Sequence, residues 1–166
     1  MSGAGAHAGH YAIALGSNRR GRHGSPEREV RAAIALIAPM AVSPLLVSDP
    51  IGPSSRRFAN AVAIVASDLP PDALLARLEA IERDFGRRRG QRWAARVIDL
   101  DIILWSGGAW ASPGLIVPHS RYRERRFVLA PLAAVAPDWR DPVSGLTPRH
   151  LLARLAKPRS RGTVGP

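Results

Sequence analysis

Cysteine is absent from this sequence, which excludes disulfide bonds, zinc–thiolate sites, iron–sulfur clusters and thiol nucleophiles. Aromatic residues make up only 5% of the chain, and lysine occurs once, at position 157. Apolar runs such as 59–66 are far shorter than the roughly 20 residues that a membrane-spanning helix needs. Residues 1–10 lack a basic stretch followed by an apolar one, so we expect no secretory signal. Together these absences are compatible with a cytoplasmic protein.

Arginine, by contrast, is abundant. The 166 residues carry 24 Lys and Arg against 13 Asp and Glu, which gives a formal net charge of +11. A charge of this size favours an anionic partner, such as a nucleotide, another phosphate compound, a nucleic acid or a membrane surface. The bias toward arginine and alanine is also compatible with genomic base composition, so the positions of the arginines are more informative than their number.

The length and composition indicate one globular domain. A chain of 166 residues with 46% hydrophobic and 22% charged residues is typical of a single domain with its own core. We predict a flexible lead-in at residues 1–9, a domain over 10–157 and a disordered tail, rich in Gly, Pro and Arg, at 158–166.

Apolar periodicity and helix-start residues predict a β-α-β-β-α-β order followed by two further helices. The predicted strands are 10–15, 42–48, 58–66 and 97–105, with a short fifth strand at 109–111. The first predicted helix begins after an N-cap, Ser25, and ends before Pro39, and the others cover 70–86, 127–135 and 147–155. This order is typical of a ferredoxin-like α+β fold, in which helices pack on an antiparallel sheet within a single domain.

Asp99 and Asp101 lie two residues apart on the strand at 97–105, so both side chains project from one face of the sheet. Their apolar neighbours are expected to face the core on the other side: Ile98, Leu100, Ile102 and Leu104. Two adjacent carboxylates repel each other, and a divalent cation relieves this repulsion. Hard oxygen ligands at an open site favour Mg²⁺, which keeps waters and shares its coordination with substrate phosphates. The alternative is a solvent-facing pair at a sheet edge.

Two arginine-rich segments flank this strand. Residues 86–96 contain five arginines and two glycines, and residues 118–127 contain His119 and four more arginines. Arginine binds phosphate oxygens through paired hydrogen bonds. A carboxylate pair between two such segments is the arrangement expected for metal-assisted phosphoryl transfer. Taken alone, each segment is also compatible with a solvated loop or a nucleic-acid-binding patch, and His119 with a structural role.

Residues 92–103, Arg-Trp-Ala-Ala-Arg-Val-Ile-Asp-Leu-Asp-Ile-Ile, resemble the signature of the hydroxymethyl-dihydropterin pyrophosphokinases of folate biosynthesis. Other segments resemble the same family in the same order: Ala-Leu-Gly-Ser-Asn at 14–18, Pro-Ile-Gly-Pro at 50–53 with Phe-Ala-Asn-Ala at 58–61, and Val-Pro-His at 117–119 with Arg125 and Phe127. The resemblance spans residues 11–155, nearly the whole chain.

This resemblance implies a ferredoxin-like enzyme that transfers the β,γ-diphosphate of ATP to the hydroxymethyl group of 6-hydroxymethyl-7,8-dihydropterin and releases AMP. ATP is then the co-substrate. Asp99 and Asp101 would hold two Mg²⁺ ions, which bridge the phosphates and activate the attacking hydroxyl. Arg87 and Arg96 would reach the phosphates during catalysis, as the arginine-rich segment closes over them.

The resemblance also implies binding residues for each substrate. Phe58 and Phe127 would sandwich the pterin ring, with Asn60 at its polar edge. The remaining pterin contacts would come from Ser48, Pro50 and Ile51. The nucleotide would be contacted by residues from several parts of the chain: Glu82, Arg89, Trp93, Arg96, Ile102, His119 and Arg125.

Two other functions fit parts of the sequence. A basic, ferredoxin-like sheet would suit an RNA-binding module, but the chain has few aromatics and lacks the aromatic strand motif of such modules. A degenerate member of the family would bind a nucleotide without turnover. We expect small-molecule substrates rather than a nucleic acid or a membrane as partners, and we expect a monomer.

Overall fold

The computed structural model describes residues 9–48, 56–86 and 96–158. Within those residues the chain forms, in order, β1 (Gly9–Ser17), α1 (Pro26–Ile37), β2 (Ala41–Val42), β3 (Leu46–Ser48), β4 (Phe58–Ser67), α2 (Pro71–Asp84), β5 (Asp99–Trp105), β6 (Trp110–Ser112), β7 (Leu115–Val117), a 3₁₀ turn (Tyr122–Glu124), α3 (Arg126–Val135) and α4 (Pro148–Ala156). Both of the helices expected after the last main strand are present.

Strand β1 occupies the centre of the main sheet. It pairs antiparallel with β4 on one side and β5 on the other, and β2 and β3 both pair with the far side of β4. Helix α1 follows β1 and helix α2 connects β4 to β5, which is the ferredoxin-like arrangement. The predicted α+β class with helices on an antiparallel sheet is therefore confirmed.

The single strand predicted at 42–48 is wrong in one respect, because the structure divides it into β2 and β3. Between them Ser43 is buried, and its hydroxyl accepts a hydrogen bond from the backbone N–H of Val62 at 2.9 Å. Pro44, the next residue, has no N–H to offer β4. A side chain therefore replaces a backbone partner at this point, and pairing with β4 resumes at Leu46.

The predicted fifth strand is present as β6, and it forms a hairpin with β7, which is not among the predicted strands. The hairpin returns the chain to the edge of β5. There the backbone N–H of His119 donates to the carbonyl of Ile103 at 3.0 Å. The segment that follows β7 is thereby attached to the strand that carries the aspartate pair.

Helix termini lie close to the residues that predict them. The hydroxyl of Ser25 accepts from the N–H of Arg28 at 3.4 Å and caps α1. Helix α2 begins at Pro71 and is followed by Gly86, whose φ of 121° suits glycine. Thr147 caps α4.

Two apolar cores lie on opposite faces of the sheet. Helices α1 and α2 cover one face, through side chains that include Ile13, Leu15, Val30, Leu78 and Ile102. Helices α3 and α4 cover part of the other face, through side chains that include Ala12, Val62, Leu104, Leu129 and Leu132. The sheet is thus the middle of three layers.

A β-bulge moves one predicted side chain to the other core. Ala12 lies opposite Leu104, but the next residue of β1 lies opposite Ile102, so the register shifts by one. Ile103 and Leu104 consequently both belong to the core beneath α3. The expectation that Leu104 faces the same side as Ile102 is therefore wrong.

The predicted terminal segments fall almost entirely outside the described residues. Gly9, which the sequence places in the lead-in, belongs to β1, and Pro158 is the one described residue of the tail. No helix within 9–48, 56–86 or 96–158 is long and apolar enough to cross a membrane.

Candidate active site

A cavity of about 600 Å³ opens on the face of the sheet that α3 covers only in part. Its walls come from the ends of β1, β3, β4 and β5, from the segment after β7 and from the start of α3. The predicted site residues that line it are Ser48, Phe58, Asn60, Asp99, Asp101, His119, Arg125 and Phe127. The structure therefore brings together side chains from segments that are far apart in the sequence.

Strand register places polar residues of β4 and β5 on either side of a floor of small residues. Gly16 of β1 lies opposite Asn60 on β4 and Asp99 on β5. Two residues earlier, Ala14 lies beside Asp101. Because residues two apart on a strand share a face, the two aspartates and the asparagine project into the same cavity.

Gly16 lies beyond the predicted strand, which ends at residue 15, and so is not among the predicted site residues. A Cβ at this position would lie 2.9 Å from Oδ1 of Asn60, which is closer than packed atoms allow. Glycine therefore leaves room for the Asn60 amide to lie across β1. A glycine within a strand is a known sign of such a close approach and is the signal that would have identified this residue.

The aspartate pair faces the cavity from β5. Asp99 is 56% exposed, yet burial of part of its carboxylate raises its pKa, while Arg96 opposes this shift and Asp101 adds to it. Within the part of the chain that the structure describes, no third acidic or histidine side chain joins the pair to form a metal-binding group. Two carboxylates without a third protein ligand fit an ion such as Mg²⁺, which takes its other ligands from water and substrate phosphates.

Arg96 lies between Asp99 and a buried acid, Glu82. Its guanidinium is 3.6 Å from Oδ1 of Asp99 and 3.4 Å from Oε2 of Glu82. The other oxygen of Glu82 accepts the backbone N–H of Leu100, the residue between the two aspartates, at 2.8 Å. Burial raises the pKa of Glu82, and the contacts with Leu100 and Arg96 oppose this shift. Glu82 therefore holds both Arg96 and the start of β5 in place.

His119 enters the cavity wall from the edge of β5. Burial lowers its pKa, Asp101 opposes this shift, and Arg125 and Arg121 reinforce it. Its Nδ1 accepts the backbone N–H of Arg121 at 3.1 Å. The lowered pKa and the accepting Nδ1 both favour a neutral imidazole with its proton on Nε2, where it is a hydrogen-bond donor.

Two aromatic side chains are exposed at the cavity. Phe58 is the first residue of β4 and Phe127 lies in the first turn of α3, and they are 45% and 46% exposed. Ser48 lies opposite Phe58 in the sheet, and the Arg125 guanidinium carbon is 5.8 Å from the centre of the Phe127 ring. The site thus offers two aromatic faces to a flat ligand, with the amide of Asn60 between β4 and β1.

Three predicted nucleotide contacts do not line the cavity: Arg96 lies beside it, next to Asp99, and the other two are buried. Ile102 is 2% exposed and belongs to the core beneath α1 and α2. Glu82 is 6% exposed and is directed to Leu100 and Arg96. Five further predicted residues lie outside the described part of the chain: Pro50, Ile51, Arg87, Arg89 and Trp93.

Comparison with known proteins by sequence gives one consistent family. The profile of the 7,8-dihydro-6-hydroxymethylpterin-pyrophosphokinase (HPPK) family matches residues 12–137. A protein named 2-amino-4-hydroxy-6-hydroxymethyldihydropteridine pyrophosphokinase from Pseudomonas aeruginosa is 42% identical over 151 residues, covering 87% of this chain and 88% of that protein. A protein of the same name from Bacillus subtilis is 40% identical over 130 residues, covering 74% of this chain and 75% of that protein.

Solved structures share the fold. The crystal structure of Plasmodium falciparum HPPK-DHPS wild type with SDX-DHP matches 89% of this chain with a TM-score of 0.67 and 13% sequence identity. The match covers 44% of that longer chain. At this level of identity the similarity concerns the fold alone, so the family assignment rests on the sequence comparisons.

Proposed function

This chain belongs to the 7,8-dihydro-6-hydroxymethylpterin-pyrophosphokinase family, and we propose that the cavity above Gly16 is where it holds both of its substrates. Its activity is the transfer of the β,γ-diphosphate of ATP to the hydroxymethyl group of 6-hydroxymethyl-7,8-dihydropterin, with release of AMP, in folate biosynthesis. The observation that carries the choice of site is the convergence of an aspartate pair and two exposed phenylalanines on one cavity.

Asp99 and Asp101 are the residues that would hold magnesium. Bound Mg²⁺ would neutralise phosphate charge and make the attacking hydroxyl of the pterin more acidic. The two carboxylates are held at fixed positions, because β1 pairs with one edge of β5 and Glu82 binds the backbone between them. The number of ions, two, is proposed from the family resemblance.

The pterin side of the site is formed by Phe58, Phe127 and Asn60. Both rings are half exposed on the cavity wall, as a stacking surface for a flat ligand requires. The Asn60 amide both donates and accepts hydrogen bonds, which suits the polar edge of a pterin. Ser48 borders this part of the cavity, and we propose Pro50 and Ile51 as further contacts from the sequence alone.

The nucleotide side is formed by Arg96, His119 and Arg125. Among the described residues, the ion pairs of Arg96 with Glu82 and Asp99 are long, at 3.4 and 3.6 Å, which would leave its guanidinium available to phosphate oxygens. The Nε2–H of neutral His119 and the guanidinium of Arg125 supply further donors. We propose Arg87, Arg89 and Trp93 from the sequence as additional nucleotide contacts, and Arg87 as a catalytic partner of Arg96.

Glu82 and Ile102 are proposed to support the nucleotide site rather than to contact ATP. Both side chains face away from the cavity, one toward the backbone of β5 and the other into the core beneath α1 and α2. Their effect on the nucleotide would pass through the position of β5 and of Arg96.

Neither alternative function finds support in the comparisons, because the relatives are named as pyrophosphokinases. The aspartate pair in the cavity would also repel a polynucleotide. A monomeric state, a cytoplasmic location and the absence of nucleic-acid and membrane partners stay as predictions.

The test of the proposed function is AMP formation from MgATP and 6-hydroxymethyl-7,8-dihydropterin by the purified full chain. We expect wild-type protein and D138N to form AMP and the diphosphorylated pterin, and D99A and D101A to form neither. D138N is the matched control, because Asp138 is exposed and pairs with Arg149 away from the cavity. A wild type that binds MgATP without forming AMP would instead identify a degenerate member. Binding of RNA with steep salt dependence, and no AMP, would favour a nucleic-acid-binding module.

A further inference from the structure

Asp141 is a buried carboxylate that the proposed reaction does not use. It is 1% exposed and lies between α3 and α4. Its Oδ2 accepts from the hydroxyl of Tyr122 at 2.6 Å and from Nε of Arg123. Its Oδ1 accepts from Nη2 of Arg123 at 3.0 Å and from the backbone N–H groups of Val143 and Ser144 at 2.8 and 3.3 Å. Both oxygens are therefore fully used by groups within the protein.

The contacts of Asp141 favour one protonation state of the cluster. Burial alone would raise the pKa of Asp141, but hydrogen bonds from Arg123, Tyr122 and the backbone outweigh burial and hold it well below its usual range. Burial and the hydrogen bond to Asp141 raise the pKa of Tyr122, so its hydroxyl stays protonated and donates. The carboxylate is ionised and paired at neutral pH.

Tyr122 and Arg123 lie in the middle of the segment from His119 to Arg125, which we call the 119–125 turn. At its start, His119 is attached to β5 through the carbonyl of Ile103. At its end, Arg125 is the N-cap of α3. The side chains of both end residues line the cavity. The middle of the turn is anchored in the protein by Tyr122, which is 1% exposed, and by the Arg123–Asp141 ion pair.

We propose that Asp141 is a positioning residue for His119 and Arg125, because it fixes the 119–125 turn through Tyr122 and Arg123. The inference rests on the proposed function, in which both side chains contact ATP. Asp141 does not line the cavity, so its effect on the nucleotide passes through the turn.

A contribution to folding stability does not by itself explain why the protein contains this cluster. Desolvation of the buried Asp141 carboxylate and the partly buried Arg123 guanidinium offsets much of their attraction, and apolar residues of similar volume are often as stabilising. The bidentate contact between Arg123 and Asp141 does, however, fix the relative orientation of the two side chains. The Arg123 guanidinium also lies 4.9 Å from the centre of the Tyr122 ring, so all three side chains share one arrangement. A turn that carries two nucleotide-binding side chains needs such a support more than a strand does.

The experiment compares D141N and Y122F with D138N as a matched control. Asp138 lies on the same α3–α4 connection, but it is exposed and pairs with Arg149 at 2.9 Å. D138N therefore removes an acidic charge without touching the 119–125 turn. Two readouts use the full chain: KM for ATP against kcat, and the imidazole signals of His119 in ¹H–¹³C NMR spectra without substrates, assigned with H119Q.

We expect D141N to raise KM for ATP about tenfold with a smaller change in kcat, because misplaced binding groups weaken contacts with the substrate. Y122F should also raise KM for ATP, by a smaller factor. KM for the pterin should stay at the wild-type value in both variants. The His119 signals should shift in D141N and Y122F, whereas those of His23 should not, and D138N should match the wild type throughout.

The proposal is overturned if D141N lowers Tm but leaves KM for ATP and the His119 signals at their wild-type values, since Asp141 would then serve stability alone. If D141N does not fold, Y122F decides by the same readouts. The NMR signals also separate two failures. A wild type that forms no AMP contradicts the proposed function, whereas unshifted His119 signals in the variants contradict the role of Asp141.

Discussion

The two faces of one sheet differ in how far the helices cover them. Beneath α1 and α2, the face is filled with apolar side chains, and both Ile13 and Leu15 of β1 are buried. On the face beneath α3, Ala12 is the last residue of β1 that is fully buried. The next two residues of β1 on this face, Ala14 and Gly16, line the cavity. Because side chains alternate along a strand, β1 supplies a closed core on one face and the floor of the proposed substrate site on the other.

We therefore expect stability and catalysis to depend on different residues of the sheet. Substitutions on the closed face should change the free energy of unfolding, because they remove buried apolar contacts. Substitutions at the open end of the other face should change catalysis and leave stability nearly unaltered. Asp99 and Asp101 are exposed there and contribute little buried apolar area.

The largest effect is expected at the open end, from D101N. Loss of one carboxylate of the pair should lower kcat/KM by about 10³-fold, because the proposed Mg²⁺, whose charge would stabilise the transferred phosphates, is then no longer held. Tm should stay the same or rise, since like-charge repulsion is relieved. Steady-state AMP formation and thermal unfolding measure the two quantities. A loss of activity that is matched by a loss of stability would contradict the separation of the two faces.

On the closed face, L78A is the counterpart. Leu78 of α2 is 2% exposed, so its truncation should lower the free energy of unfolding by about 3 kcal/mol. KM for both substrates should stay at the wild-type value below the unfolding transition. Urea unfolding and initial rates provide the measurements. A raised KM would mean that the α1–α2 side shapes the cavity through the sheet.

The next effect concerns the pH dependence of stability, which we expect from the buried Asp141 carboxylate and its contacts with Tyr122 and Arg123. The pKa of Asp141 is depressed in the folded protein, so its contribution to stability is present above the unfolded pKa and is lost as pH falls. We expect D141N to be less stable than the wild type by about 2 kcal/mol at pH 7. The difference should shrink as the pH falls below about 4. Urea unfolding of both proteins from pH 7 to pH 3 tests this, and a difference that is constant over that range would rule out an ionised Asp141 as its cause.

The smallest effect is expected from G16A. Its Cβ would displace the Asn60 amide, so KM for the pterin should rise about tenfold while stability changes little. N60A alone should raise the same KM. In the double variant the two effects should not add, because both act on one side chain. Additive effects on KM would show that Gly16 acts by a route other than Asn60.

Local sequence patterns predict well the features that depend on residues close together in the chain. Alternation along 97–105 predicts that Asp99 and Asp101 share a face, and the structure places both on the cavity. Ser25 and Thr147 cap helices where a short polar side chain precedes an apolar periodic segment. In each case the residues that decide the structure are neighbours in the chain.

The features that are missed depend on partners far away in the sequence. The break between β2 and β3 depends on a hydrogen bond from Val62 to the Ser43 hydroxyl, and the β5 bulge on pairing with β1. Glu82 has helical spacing, but its partner is the backbone of Leu100. Asp141 is joined to Tyr122 across a whole helix. Local propensity contains no information on any of these contacts.

We expect both substrates to meet on the open end of the α3 face. The most direct test is to map backbone amide shifts in ¹H–¹⁵N NMR spectra on addition of Mg²⁺, α,β-methylene-ATP and 6-hydroxymethyl-7,8-dihydropterin to the wild-type protein. A shared site on this face predicts large shifts at Gly16, Asn60, Asp99, Asp101 and His119, and none at buried residues of α1 and α2 such as Val30 and Leu78. Shifts centred on α1 and α2, with the amides of β5 unchanged, would contradict it.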